Sequence, residues 1–337
     1  MSEQTFALQS NMKPLIAGLS SGAASTVLLY PLDLIKVRLQ VTESGRKRGI
    51  VRTLRQIVHY EGIQGLYQGL TPALMGSAIS WGGYFFFYEE IKKELLHLKN
   101  QNETRNELGS LENFSAACLS GAIMVGFTNP IWLIKTRMQL QMKKFQEHQL
   151  KAGSMSACAV KIKPPYKNMM DAARTIVQEE GPLALYKGAL PALLLVSHGG
   201  VQFVVYEYLK LNFGEYKKVS MSLEEDASYG VFDRLHDSLG YLTMGASSKI
   251  IASTVTYPIQ VIKSRIQQRS QMVELTMKGD VEIVERQYKG ILSASLKIYQ
   301  NEGVFGFFKG ALANAFRVAP SAAITFVVYE TLMDVLR

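Results

Sequence analysis

Two cations stand alone in stretches otherwise free of formal charge: Lys249 within residues 238–262 and Arg317 within 310–329. His198 is the polar counterpart in 188–206, with Gln202 four residues further on. A charge inside a long apolar stretch is costly and marks either a binding role or a specific partner. Arginine offers a planar fork suited to phosphate or carboxylate, and lysine a compact point charge. The chemistry open to this set is anion binding. The alternative is that each cation neutralises a backbone carbonyl or a group on another helix. Trp81, inside SWGGYFFFY, adds a flat face on which a heteroaromatic ring can stack. Gly82 and Gly83 leave space beside it, and plain helix packing is the rival account.

A second set of chemically capable residues occurs three times. PLDLIKVRLQ from Pro31 returns as PIWLIKTRMQ from Pro130 and as PIQVIKSRIQ from Pro258. Asp33, Lys36 and Gln40 are spaced i, i+3, i+7 and share one helical face. Trp132, Lys135 and Gln139 hold the same places in the second copy, and Gln260, Lys263 and Gln267 in the third. The three prolines are expected to kink their helices and swing these ends together. Charges meeting there can pair and part again, giving a breakable closure. A solvated helix end with snorkelling lysines is the plainer reading. Lys249 lies eleven residues before Gln260, about three helical turns, so it shares that face.

Two further motifs complete each copy: EGIQGLYQG, EGPLALYKG and EGVFGFFKG, then YEEIK, YEYLK and YETLM. Three motifs in one order, three times, define tandem repeats, bounded at 1–104, 105–215 and 216–337. Residues 15–32, 69–88 and 113–134 carry no formal charge. With the stretches holding His198, Lys249 and Arg317 they make six segments of membrane-crossing length. The sequence therefore predicts an all-α membrane protein. It would have six transmembrane helices in three tandem parallel repeats with pseudo-threefold symmetry, and three short surface helices. The surface helices are GIVRTLRQIVHYEG, YKNMMDAARTIVQEEG and YKGILSASLKIYQNEG. Residues 143–165 and 268–286 read as loops. A soluble helical repeat protein would need charged outer faces that these segments lack.

The 337 residues are 47% hydrophobic and 19% charged, against about 25% charged in soluble domains, with a formal net charge of +9. The surplus gathers beside the proline motifs, at Lys36, Arg38, Arg46, Lys47, Arg48, Arg52, Arg55, Lys135 and Arg137. That side is expected to face the inner compartment, and no nucleic-acid role follows from it. Cys118 and Cys158 show no paired spacing, so neither a disulfide framework nor a cysteine metal site is expected. No Gly-rich phosphate loop, His pair at metal spacing or nucleophile elbow occurs, so an enzyme and a resident cofactor are not expected. The first twelve residues resemble neither a secretory signal nor a transit peptide.

The proline, the acid two residues on and the base three further resemble the hallmark of the mitochondrial carrier family, along essentially the whole chain. The resemblance implies a multi-pass bundle in the mitochondrial inner membrane, opening to either side in turn and functional as a monomer. It implies a matrix gate in which the acid of one odd helix meets the base of the next. Only Asp33 keeps the acid, so one full bridge, Asp33 with Lys135, is expected. It further implies a cytoplasmic gate of Glu89 with Lys210 and Glu330 with Lys92, leaving Glu207 without its usual partner because Met333 stands in the lysine position. Helices two, four, five and six look most like the folate/FAD branch, which implies FAD as transported substrate and folate as its rival. NPIW from Asn129 is also similar to pyridine- and pyrimidine-nucleotide carriers. A non-transporting membrane scaffold is the reading from a different class.

Overall fold

The computed structural model describes residues 2–42, 49–100, 109–142, 165–221, 231–269, 271–275, 281–285, 288 and 290–335. The basic residues Arg46, Lys47 and Arg48, Cys158 and nearly all of the expected loop 143–165 lie outside them.

Long helices alternate with short ones in the order the repeats require. The first repeat holds α1 (Ser2–Val41), α2 (Ile50–Glu61) and α3 (Leu70–Asn100). The second holds α4 (Ser110–Leu140), α5 (Met169–Glu180), α6 (Ala189–Leu194) and α7 (Ser197–Met221). The third holds α8 (Val231–Val255), α9 (Tyr257–Gln267), α10 (Ile291–Glu302) and α11 (Ala311–Val335). Pro31 and Pro130 sit inside continuous helices, whereas the third copy breaks at Thr256 and restarts with Pro258 in the first turn of α9. Proline is tolerated there because its missing N–H would have no partner in a first turn anyway.

The short helices α2, α5 and α10 match the three expected surface helices. Each presents a narrow apolar stripe: Ile57 on α2, Ala172 and Ile176 on α5, Ala294 and Ile298 on α10, all buried. Each stripe completes a small core against its own repeat. Tyr30, Leu34 and Ile35 share a core with Ile57; Leu133 and Ile134 with Ile176; Val261 and Ile262 with Ile298. Burying one such side chain stabilises by about 1.5–3 kcal/mol. The glycine of each EG motif ends its helix at positive φ, 71° at Gly62, 85° at Gly181 and 65° at Gly303, a conformation that disfavours any side chain.

The long helices pack in a closed sequence: α3 on α4, α7 on α8, and α11 back on α1. At the proline-motif end α1, α4 and α9 also touch one another. Among the described residues three stretches are long and apolar enough to cross a membrane, Leu111–Leu140, Pro182–Asn212 and Val304–Val335. Among the described residues of α1, α3 and α8 no stretch reaches that hydropathy; Gly, Ser and Thr lower it in α3, and Lys249 lowers it in α8. Large apolar side chains stand exposed on both kinds, among them Leu28, Phe86, Phe127 and Phe326. Such a surface suits a bilayer and not water.

One expectation is corrected. Part of the loop expected at 268–286 is an antiparallel hairpin, β1 (Gln271–Leu275) with β2 (Val281–Glu285), in register Val273 to Ile283. Val273 in β1 and Val281, Ile283 and Val284 in β2 are β-branched, so β-propensity is present where the lack of a helical period suggests irregular chain.

Candidate functional site

Three buried ion pairs fix the proline-motif end. Arg38 pairs with Glu61, Arg137 with Glu180 at 2.5 Å and Arg265 with Glu302 at 2.7 Å. Each carboxylate takes a further donor from the residue before the last glycine of its EG motif: Gln68 Nε2, Lys187 Nζ and Lys309 Nζ, each at 2.6 Å. Around Glu180, burial works against the charged form, but Arg137 and Lys187 outweigh it and hold the carboxyl down at about 2. Each arginine also donates through Nε to a main-chain carbonyl of another repeat: Arg38 to Gln139 (2.9 Å), Arg137 to Gln267 (3.1 Å) and Arg265 to Gln40 (2.9 Å). The three links form a closed cycle. Gly69, Gly188 and Gly310 lie in the same seams at φ of 82°, 81° and 84°. A Cβ on Gly310 would sit 2.9 Å from the Lys36 carbonyl oxygen. Sequence reasoning paired neither the arginines nor the glutamates. Their signal is the equal spacing of Arg and Glu in all three motif copies.

Inside that frame the nine motif residues converge. Asp33 Oδ2 accepts from Lys135 Nζ at 2.7 Å and from Gln139 Nε2 at 3.1 Å, so the one acid of the set meets the base on the next odd helix. Lys36 Nζ donates to Gln260 Oε1 at 3.0 Å, an amide standing where an acid is missing. Trp132 takes the other acid position, and Lys135 Nζ lies 5.2 Å from its ring centre. Ser264 Oγ donates to Gln40 Oε1 (2.8 Å) and Thr136 Oγ1 to Gln267 Oε1 (3.0 Å). Each of the three motif glutamines thus spans two repeats. All nine residues line one cavity of about 260 Å³, together with His198.

Arg317 reaches the same cluster from α11. Its Nε lies 3.6 Å from Asp33 Oδ1, a charge contact too long for a hydrogen bond, and its Nη2 donates to Asn314 Oδ1 at 3.1 Å. Lys249 is exposed on α8 and near enough to Arg317 for their charges to repel. His198 Nδ1 lies 3.0 Å from Thr256 Oγ1, which also accepts from Gln260 Nε2 at 3.3 Å. Gln202 is half-buried one turn along α7 from His198.

A larger cavity of about 770 Å³ opens above, between α3, α4 and α7. Trp81, Tyr84, Phe114 and Phe203 line its walls, and Trp132 and Lys263 are shared with the smaller cavity below. Trp81 is 64% exposed and stacked on Phe85 at 6.0 Å, leaving a face of its ring free for another flat group. The two glycines beside it differ. A Cβ on Gly82 would meet nothing within 4 Å, while one on Gly83 would lie 2.6 Å from Met124 Sδ. Contrary to expectation, Gly83 does not open space beside Trp81; it is a helix-packing position that lets α3 approach Met124 of α4.

At the opposite end the expected bridges are not formed among the described residues. Lys210 contacts Glu207 on its own helix at 3.9 Å. Among the described residues no ion pair joins Glu89 to Lys210 or Glu330 to Lys92. The structure thus has the proline-motif end closed and the other end without its expected bridges. Lys99 instead binds Glu112 across α3 and α4 at 2.9 Å, beyond the expected set. Among the described residues no cluster of His, Cys, Asp and Glu is disposed to hold a metal.

The pattern described as "Mitochondrial carrier protein" matches three times, at residues 8–99, 106–217 and 236–337. The chain is 35% identical to "Folate transporter 1, chloroplastic" of Arabidopsis thaliana, covering 95% of this chain and 94% of that protein. It is 32% identical to "Nicotinamide adenine dinucleotide transporter 2, mitochondrial" of the same plant, over 95% and 78%. It is 33% identical to "Mitochondrial nicotinamide adenine dinucleotide transporter 1" of Saccharomyces cerevisiae, over 96% and 77%. With three matching repeats and relatives of this kind along nearly its whole length, the chain belongs to the mitochondrial carrier family.

Proposed function

We propose that this carrier moves FAD across the mitochondrial inner membrane by alternating access, as a monomer. Its six spans would form three parallel repeats around a pseudo-threefold axis, with the proline motifs on the matrix side. FAD is cargo here and not a resident group.

The observation that carries the reading is a lysine and aromatic rings lining one cavity, next to a cluster of further cations. Lys263 lines the cavity walled by Trp81, Tyr84 and Phe114, and it also lines the smaller cavity where Arg317 approaches Asp33, with Lys249 near Arg317. An anion with a planar ring system suits both halves: its phosphates meet the cations, and its rings stack on the aromatic wall. FAD combines the adenosine diphosphate of the dinucleotides with a fused nitrogen heterocycle, a feature it shares with folate. Relatives named for each of those two cargoes resemble this chain over nearly its whole length. Folate is the second reading, favoured by the 35% identity to the plant folate transporter. Relatives are named as mitochondrial, chloroplastic and peroxisomal, and localisation of the tagged protein tests the mitochondrial assignment.

Purified protein in liposomes tests both cargo and class. Uptake of labelled FAD, folate and NAD is measured with and without internal counter-substrate. FAD uptake that Trp81→Ala weakens about 3- to 10-fold in half-saturation is the expected result. Folate uptake without FAD uptake selects the second reading. Silence towards every cargo, in vesicles where another carrier works, selects the scaffold.

A further inference from the structure

The closed end of the bundle carries more positive charge than it can neutralise. Lys36, Lys135 and Lys263 line the cavity of about 260 Å³, and Asp33 is the one carboxylate among its lining residues. Asp33 is taken by Lys135 at 2.7 Å and approached by Arg317 at 3.6 Å. Among the described residues no acid lies within ion-pair distance of Lys36 or Lys263. Lys36 has the amide oxygen of Gln260 and, at 5.8 Å, the ring of Tyr257. Gln260 stands one turn before Lys263 on the same helix, so the two lysines face one space. Like charges in a confined, poorly hydrated space repel strongly unless something lies between them.

The polar groups of the same wall leave that role open. Gln40 is 1% exposed, its Oε1 accepts from Ser264, and the Tyr257 hydroxyl, which donates to the Lys309 carbonyl at 3.1 Å, is close enough to accept from its amide. Two lysines without an acid partner form a site for an acceptor-only group bearing negative charge. With Arg317, the three lysines leave a formal excess of three charges over Asp33, which a dianion largely offsets.

We propose that the closed gate is itself a binding site for a small inorganic oxyanion, phosphate in the first instance, held by Lys36 and Lys263. The anion supplies the negative charge that Trp132 and Gln260 do not, and so stabilises the closed end in place of two missing salt bridges. The site lies below the aromatic cavity, shares Lys263 with it, and stands whichever organic cargo the carrier takes. When the end opens, the lysines part and the anion is released.

The test uses full-length protein in detergent without organic substrate, its thermal unfolding followed by intrinsic fluorescence. Sodium phosphate is titrated against sodium gluconate at matched ionic strength. The expected result is a saturable upward shift of Tm in phosphate alone, by a few degrees. Lys263→Gln and Lys36→Gln each abolish that shift, while Lys210→Gln, exposed at the far end, keeps it. Lys263→Gln also equals or exceeds the wild-type Tm in gluconate, because it removes a charge without a partner; a merely structural lysine would lower it. No shift in phosphate overturns the proposal, as does an equal shift in gluconate, or an equal shift in Lys263→Gln, which marks general salt stabilisation. A shift seen with FAD or folate but not with phosphate assigns the lysines to the cargo and also overturns it. Failed FAD uptake leaves all these readings unchanged.

Discussion

Arg317 and Asp33 are in charge contact across the bundle, Nε to Oδ1 at 3.6 Å, while Lys135 holds the other carboxylate oxygen at 2.7 Å. The cation proposed to grip a substrate anion therefore also leans on the single acid of the proposed gate. Arg317 Nε is buried and makes no hydrogen bond, so a substrate phosphate offers it a better partner than Asp33 does. On the proposed function, substrate binding would loosen the gate by competition for one side chain. On this proposal Arg317→Ala should lower uptake about 10- to 100-fold, the loss of one or two charged hydrogen bonds of about 1.5–3 kcal/mol. Arg317→Lys should recover only part, since the planar fork is gone. Uptake by folded variants in liposomes checks both.

The gate pair itself is open to a double-mutant cycle. Asp33 and Lys135 are about one-sixth exposed on their side chains, 17% and 15%. Removing one partner of such a pair strands the other charge. Asp33→Asn leaves Lys36, Lys135, Lys263 and Arg317 with no acid among them and should lower Tm more than Lys135→Gln does. The double variant should be more stable than Asp33→Asn alone, with a coupling of about 1–3 kcal/mol. Simple additivity in the measured Tm values would show that the two residues do not act as a pair.

Much of this is legible in the chain. Pro31, Pro130 and Pro258 announce the repeats, and the i, i+3, i+7 spacing of Asp33, Lys36 and Gln40 puts them on one face. Asp33 with Lys135 follows, because Asp33 is the only acid left at that motif position. What stays hidden are contacts that no helical period encodes. Arg38 and Glu61 stand 23 residues apart on different helices, and Arg265 and Glu302 stand 37 apart. Arg317 gives its charge away but not its partner, since Asp33 lies at the other end of the sequence. The glycines beside Trp81 look alike in sequence and differ in space, because only Gly83 faces Met124.

Glycines so alike in sequence should also differ in what a methyl group does to them. Gly310 needs φ of 84° and would place a Cβ 2.9 Å from the Lys36 carbonyl. Gly310→Ala should therefore destabilise by about 1–3 kcal/mol through strain and a forced opening of the seam between repeats. Gly82 lies in α3, where an added methyl would meet nothing within 4 Å. Gly82→Ala should be neutral or stabilise by up to about 1 kcal/mol through helix propensity. Thermal unfolding of the two variants side by side separates a seam glycine from a helix glycine.

Acid stability should turn in part on Glu180. Its carboxyl is held at about 2 against an ordinary 4.5, because Arg137 and Lys187 outweigh its burial. A carboxyl whose folded value is depressed stabilises the fold fully above its unfolded value, and the contribution fades as pH falls through the folded one. The pair should therefore contribute a constant increment from neutral pH down to about 4.5 and lose it between there and about 2. Glu180→Gln removes that pH-dependent increment. Its Tm should lie below wild type at neutral pH, since Arg137 is then buried without its counter-charge, and the gap should narrow as the medium is acidified through that window. A gap that stays constant as the pH is lowered from neutral through that window would mean that the carboxylate's charge contributes nothing to holding α5 against α4, and that the Arg137 contact acts there by packing alone.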